Sequence, residues 1–289
     1  MISTASEMRR LTRIAEVREA VGEVRARGRR IGFVPTMGYL HEGHLRLVDE
    51  ARRHADLVVM SIFVNPLQFG PAEDLARYPR DLDGDAAKAS ARGVDLLFAP
   101  DGAEIYPEQP RVVVTPRALA ARWEGAARPG HFEGVLTVVA KLLNIVQPHV
   151  AVFGQKDIQQ ALLVRAMVED LDIPVEIVVA PTVREPDGLA MSSRNSYLDA
   201  PSRERALALS RALRAVVSAH AAGERSAAAL EAMARAHLAQ HGITEVDYVA
   251  VAHPRTLEPL VQADAGTIVA VAARVGRTRL IDNMILGAA

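Results

Sequence analysis

The sequence predicts an α/β fold, a doubly wound parallel sheet, joined to a second, smaller α+β domain. Three observations carry that expectation. Apolar runs of strand length recur at Ile31 to Val34, Leu57 to Val64, Val94 to Phe98, Val112 to Val114, Val150 to Phe153 and Val175 to Ala180. Stretches with helical periodicity separate most of them, and strands that alternate with helices favour a parallel sheet covered on both faces. After Pro181 the texture changes to long Ala-rich helical runs followed by two further strand-like runs. The expected division is therefore 1–182 for the parallel domain and 183–289 for the smaller one.

Taken in order, Ile31 to Val34 opens a strand, loop and helix unit whose loop reads "PTMGYLHEGH" and whose helix is the amphipathic run Leu45 to Ala55. The strand at Leu57 to Val64 leads into a long loop, "FVNPLQFGPAEDLARYPRD", that carries three prolines and presents Asn65, Gln68 and Tyr78. Val112 to Val114 is the candidate edge strand. "WEGAARPGHFEG", Trp123 to Gly134, holds the single tryptophan and spaces Glu124 and Arg128 so that an ion pair could close the loop. Val150 to Phe153 ends at Gly154, and "FGQKDIQQ" turns from there into a helix on which Ala161, Val164, Val168 and Leu171 share a face. Beyond the Pro186, Asp187, Gly188 loop, helices are expected over Ser202 to Ala222 and Ser226 to His241, and strands over Val246 to Ala252 and Thr267 to Val275.

Composition narrows the function. The 289 residues, 49% hydrophobic and 24% charged, suffice for a large core. With 34 basic against 35 acidic residues there is no basic field for nucleic acid, so a small-molecule partner is expected. No run approaches the roughly 18 apolar residues that span a bilayer. The arginine-rich N-terminal stretch lacks a signal peptide's apolar segment, which points to the cytoplasm. The absence of cysteine removes disulfides, thiolate metal sites and a thiol nucleophile. Only Lys88, Lys141 and Lys156 are lysines.

In open parallel sheets ligands bind beyond the carboxyl ends of the strands, so the loops named above are where chemistry is expected. His41 and His44 stand at a helix mouth, where unpaired backbone N–H groups favour anions, and Gly43 lets a ligand approach the backbone. They are three residues apart, whereas the zinc motif H-E-x-x-H needs four; a pair that merely caps the helix is the plainer alternative. No Gly-Lys dipeptide or G-x-G-x-x-G follows the first strand, so a nucleotide would be held in another way. Asn65 and Gln68 offer amides that bind hydroxyls and carboxylates without net charge. Lys156 at a helix start opposes the helix dipole and makes more sense beside a phosphate. Ser192, Ser193 and Arg194, in "MSSRNSYL", suit a di- or triphosphate, or serve as a capping pair beside an exposed arginine.

Taken together, "VPTMGYLHEGH", "SIFVNPLQF", "DLARYPRD", "EGAARPGHF", "VFGQKDIQQ", "PTVREPDGLAMSSRNSYL" and "RLIDN" resemble the pantothenate synthetase family, ATP-dependent ligases that join pantoate to β-alanine. The resemblance runs in order from residue 34 to 283. It implies a Rossmann-like nucleotidyltransferase domain whose H-x-G-H motif (His41, Gly43, His44) and K-M-S-K-S counterpart ("MSSRN") embrace ATP phosphates. On that basis His41, His44, Lys156, Ser192, Ser193 and Arg194 hold the triphosphate. Met37, Gly154, Asp157, Val183 and Met191 complete the ATP site, with Gly154 and Asp157 against the ribose. Gln68 and Gln160 bind pantoate, with Met37 and Phe63 near its dimethyl group. Asn65, Tyr78, Glu124 and Arg128 support the pocket, and Asp85 bears on Mg²⁺. Two positions depart from the family pattern: Gln155 replaces a glutamate, and Gly84 replaces one of the paired acidic residues near Asp85. The resemblance further implies a pantoyl adenylate intermediate, a homodimer, and closure of residues 183–289 as a lid carrying "MSSRN" over the phosphates. A sister cofactor nucleotidyltransferase, a tRNA synthetase, and a non-catalytic ATP sensor are the competing readings.

Overall fold

The structure is a computed structural model and describes residues 8–71 and 73–287. In chain order the first part runs β1 (Arg9–Leu11), α1 (Ile14–Ala26), β2 (Ile31–Thr36), α2 (Glu42–His54), β3 (Leu57–Ile62), α3 (Leu82–Ala91), β4 (Leu96–Phe98), α4 (Gly102–Ile105), α5 (Trp123–Ala127), α6 (His131–Val146), β5 (Val150–Gly154), α7 (Ile158–Asp170) and β6 (Glu176–Ala180). The remainder runs α8 (Ala200–Ala221), α9 (Ala227–Gln240), β7 (Val246–Ala252), β8 (Ile268–Val275) and β9 (Thr278–Ile285). Two compact units result. One takes the chain up to Arg117 together with Arg128–Gly154 and Gln160–Pro181, and the other takes Ala118–Ala127, Gln155–Gln159 and the chain from Thr182 onward.

The first unit is built on a six-stranded, fully parallel sheet of order β1-β4-β3-β2-β5-β6. Its central strands bear helices on both faces, so they read as unbroken apolar runs rather than alternating ones: Ile31, Phe33 and Val34 of β2 and Val150, Ala151 and Val152 of β5 are fully buried. One layer of the core joins Leu47, Val48 and Ala51 of α2 to Val58, Met60, Leu97, Val150 and Val152. From β2 the chain proceeds to β3 on one side, and from β5 to β6 on the other. The strand order therefore reverses between β2 and β5, and the crevice beyond their carboxyl ends is where such sheets bind ligands.

The second unit packs α8 and α9 on an antiparallel sheet of order β7-β8-β9. Leu209, Leu213 and Val216 of α8 and Leu230 and Leu238 of α9 meet Val249, Val251, Val269 and Val271 in its core. Among the described residues no helix is long and apolar enough to cross a membrane.

Three local expectations are revised. Val112 to Val114 is not a strand. Pro110 and Pro116 flank the run, Val112 and Val113 are 84% and 41% exposed, and the Val114 amide donates to Thr137 Oγ1 at 3.0 Å instead of entering a ladder. Leu171 lies past the end of α7 and is exposed. Two strands escaped the sequence reading: β1, which is short and mostly polar, and β9, whose two-residue link to β8 turns at Gly276 with φ +59°.

Candidate active site

The link from β2 to α2 passes through two successive left-handed residues, Gly38 at φ +84° and Tyr39 at φ +52°. A side chain at 38 would collide with Asp85 and Ile62, so the position demands glycine twice over. Asp85, on the first turn of α3 and 1% exposed, accepts the Tyr39 and Leu40 amides, each at 2.6 Å. Lys88 Nζ donates to the Leu40 carbonyl at 3.0 Å. This clasp delivers the chain to His41, the N-cap of α2.

At that mouth the two imidazoles lie with ring centroids 4.1 Å apart and planes tilted by 33°. The Gly43 amide donates to His41 Nδ1 at 3.1 Å, and the His41 amide donates to His44 Nδ1 at 3.4 Å. Both δ nitrogens are thereby acceptors, so in each neutral ring the proton sits on Nε2. The result is a pair of N–H donors beside the positive end of a helix, the arrangement an oxyanion of a phosphate requires.

Asp85 does not fit the expected Mg²⁺ role. Both of its oxygens are occupied by backbone N–H groups in a buried position, and no group of three or more His, Cys, Asp or Glu side chains suited to a metal occurs among the described residues.

A second constellation of the first unit centres on Gln68. Asn65 Nδ2 donates to Gln68 Oε1 at 3.1 Å and to the Gly134 carbonyl at 3.0 Å, and Gln68 Nε2 points at Met37 Sδ, 3.2 Å away. Tyr106 donates its hydroxyl to Asn65 Oδ1 at 3.1 Å; burial pushes its pKa up to about 12, so it stays protonated. The Tyr106 ring lies 6.0 Å from that of Phe63. His131 Nδ1 is 2.8 Å from the Gln68 carbonyl. Arg128 forks onto Glu73 at 2.8 and 2.5 Å and meets His131 Nε2 at 3.0 Å. Tyr78 is buried edge-on against Phe69. Gln160 sits half-buried in the first turn of α7. Met37, Phe63, Asn65, Gln68 and Arg128 are thus brought together, Arg128 pairing with Glu73 and not with Glu124, while Tyr106, His131 and Glu73 were missed. His131 was within reach of sequence reasoning, since it stands three residues after Arg128 in a stretch already singled out.

In the second unit Lys156 stands in the 3-10 turn Gln155–Asp157 that precedes α7, its Nζ 3.6 Å from Asp157 Oδ1 and its side chain 21% exposed. Ser192 caps the 3-10 turn Ser193–Tyr197 by accepting the Arg194 amide at 3.3 Å, Ser193 is buried, and Arg194 is half-buried. The Met191 amide donates to the Val183 carbonyl at 3.0 Å, joining the two ends of the loop that leads there. Glu124 is held by Arg279 through two bonds of 2.6 and 2.7 Å and by the Tyr248 hydroxyl at 3.0 Å. Burial by itself would lower the Arg279 pKa, but Glu124 and Asp247 hold it above its usual value, while burial and then Glu124 push the Tyr248 phenol well up. Trp123 stacks on Tyr248 at 5.7 Å.

A parallel sheet with a strand-order reversal, a left-handed entry into a helix mouth and two tautomer-fixed imidazoles there define a nucleotide-binding α/β enzyme. Its relatives make the class specific. A family model described as pantoate-beta-alanine ligase matches residues 9–285, and the chain belongs to that family of ligases. It is 54% identical over 283 residues to pantothenate synthetase 1 of Bradyrhizobium diazoefficiens, covering 96% of this chain and 98% of that one. The crystal structure of pantothenate synthetase from Thermus thermophilus superposes with a TM-score of 0.91 at 51% identity, covering 96% and 99% of the two chains. A Francisella tularensis pantoate-beta-alanine ligase, complexed with beta-gamma ATP and beta-alanine, matches with a TM-score of 0.80 at 33% identity, covering 98% and 99%.

Proposed function

We propose that this chain condenses pantoate with β-alanine at the expense of ATP through a pantoyl adenylate. In the first step a pantoate carboxylate oxygen attacks the α-phosphorus, a new P–O bond forms, and the bond to the β-phosphate breaks to release pyrophosphate. In the second, the neutral amine of β-alanine attacks the acyl carbon, the C–O bond to AMP breaks, and the ammonium proton passes to solvent. Neither step uses a covalent enzyme nucleophile, in keeping with a cysteine-free chain.

The observation that carries the chemistry is the His41 and His44 pair. Two Nε2–H donors preorganised at the mouth of α2 suit charge that develops on the phosphoryl oxygens during adenylation. Lys156, Ser192, Ser193 and Arg194 are assigned to the triphosphate. Gly154, Asp157, Val183 and Met191 are assigned to the nucleotide, with Met37 serving both substrates. Gln68 and Gln160 would read pantoate's carboxylate and hydroxyls, while Met37 and Phe63 receive its methyl groups. Asn65, Tyr78, Glu124 and Arg128 keep their supporting role. Mg²⁺ enters with ATP, as part of the substrate. A cytoplasmic location, a homodimer formed without the edge strand once expected at 112–114, and a lid role for residues 183–289 belong to the same proposal.

The test is mass spectrometry of products after incubation with Mg·ATP, pantoate and β-alanine, each omitted in turn. Pantothenate and AMP that depend on all three are expected. A stable dinucleotide, or ATP left intact by folded protein that binds it, would overturn the proposal in favour of a sister transferase or a sensor. His44→Ala and Lys156→Ala should each slow adenylation by roughly 10²-fold.

A further inference from the structure

We infer that Asn283, on the last strand of the second unit, is a positioning residue for Lys156; the inference rests on the assignment of that lysine to the ATP phosphates. Asn283 is 2% exposed and its side chain spends both N–H donors on consecutive carbonyls, those of Gln155 at 2.8 Å and Lys156 at 3.0 Å. Its Oδ1 accepts Gln155 Nε2 at 3.2 Å. One buried amide therefore grips the backbone of the whole turn that carries the lysine.

The grip is itself held rigid. Asn283 pairs with Ala270 in the centre of β9 and β8, and its own amide donates to Asp282 Oδ1 at 2.8 Å. Asp282, 3% exposed, receives a two-pronged bond from Arg184 at 2.7 and 2.9 Å. Arg184 bridges to Ala190, and Ala190 accepts from Asn195 Nδ2 at 3.1 Å, so the strand that fixes Asn283 also anchors the loop bearing Ser192 and Arg194. A lysine at a helix start lies against the dipole, so a firm hold on the backbone that presents it has a purpose. A paired strand in a sheet is the kind of rigid element that can impose the geometry. This also accounts for Gln155, whose amide turns toward Asn283.

The experiment is pantoate-dependent exchange between pyrophosphate and ATP, which isolates adenylation, on Asn283→Ala, Lys156→Ala and the double variant, with melting temperatures alongside. Asn283→Ala should slow exchange by roughly 10- to 100-fold with the pantoate KM within about twofold of wild type. If the asparagine acts through the lysine, the double variant should be no slower than Lys156→Ala by more than about threefold. Multiplicative losses, or wild-type exchange in Asn283→Ala, overturn the inference while an impaired Lys156→Ala keeps the lysine assignment. Wild-type exchange in Lys156→Ala removes the lysine from the reaction and the inference with it. Should Asn283→Ala not fold, Asn283→Asp, which keeps the volume and loses the donors, is held to the same outcomes.

Discussion

Gly134 lies in the first turn of α6, and substituting alanine there tests whether the 65–68 loop reads pantoate. A Cβ at 134 would stand 2.6 Å from the Gln68 amide nitrogen and closer still to the Leu67 carbonyl group, all backbone atoms that cannot swing aside as a flexible side chain would. Ordinary contact needs 3.4 Å, so the loop must retreat by roughly 1 Å, a distance set by the Leu67 carbonyl oxygen. The Gly134 carbonyl also accepts from Asn65, which in turn holds Gln68, so the shift reaches the proposed pantoate amide directly. Misplacing a positioning group by about 1 Å costs on the order of 10²-fold, and overpacking of this kind costs about 1–3 kcal/mol of stability. Steady-state kinetics on folded Gly134→Ala should give a kcat/KM for pantoate lowered by roughly 10- to 100-fold and an ATP KM within about twofold of wild type. Unchanged pantoate kinetics would refute the placement of pantoate at Gln68.

Three further outcomes follow from single residues. Asp85→Asn turns one acceptor into a donor facing the Tyr39 or Leu40 amide, and should slow adenylation by roughly 10²-fold by loosening the chain before His41. The Mg²⁺ concentration for half-maximal rate should stay as in wild type, and a marked rise would make Asp85 a metal ligand after all. Arg279→Met removes the guanidinium from the buried Glu124 carboxylate and should cost about 3–5 kcal/mol, lowering Tm by roughly 5–8 °C; an unchanged or higher Tm would show that the ion pair contributes no net stability. His149 accepts the Ile31 amide on Nδ1, and burial, then Arg25 and Arg30, hold its pKa below the unfolded value of 6.5. The unfolded chain therefore takes up this proton first, so the stability present above about pH 6.5 falls as the pH drops through the folded pKa. His149→Asn, which keeps an acceptor but no titration, should show a smaller fall in Tm between pH 7 and pH 5, and an identical fall would rule the residue out.

Much of the fold was legible because its signals are local. Central strands of a parallel sheet are apolar along their whole length, and the helices between them carry their own period, so alternation along the chain already implied the doubly wound sheet. Val112 to Val114 misled because a run of valines meets the propensity for a strand without supplying a neighbour to pair with. The imidazole pair was visible for a similar reason, since His41 and His44 share one helical turn and their Nδ1 acceptors are fixed by amides no more than three residues away. What orients the site was not legible. Asp85 reaches Tyr39 across 46 positions, Asn283 reaches Lys156 across 127, and Arg279 reaches Glu124 across 155. A lone Asp, Asn or Arg carries no local mark of such a partner. The sequence by itself determined the parallel sheet, the helix mouth and the imidazole pair that stands there, because periodicity and capping act within a few residues. Only the tertiary structure decided which buried polar groups hold those residues in place, because a hydrogen bond is specified by where two groups meet in space and not by their spacing along the chain.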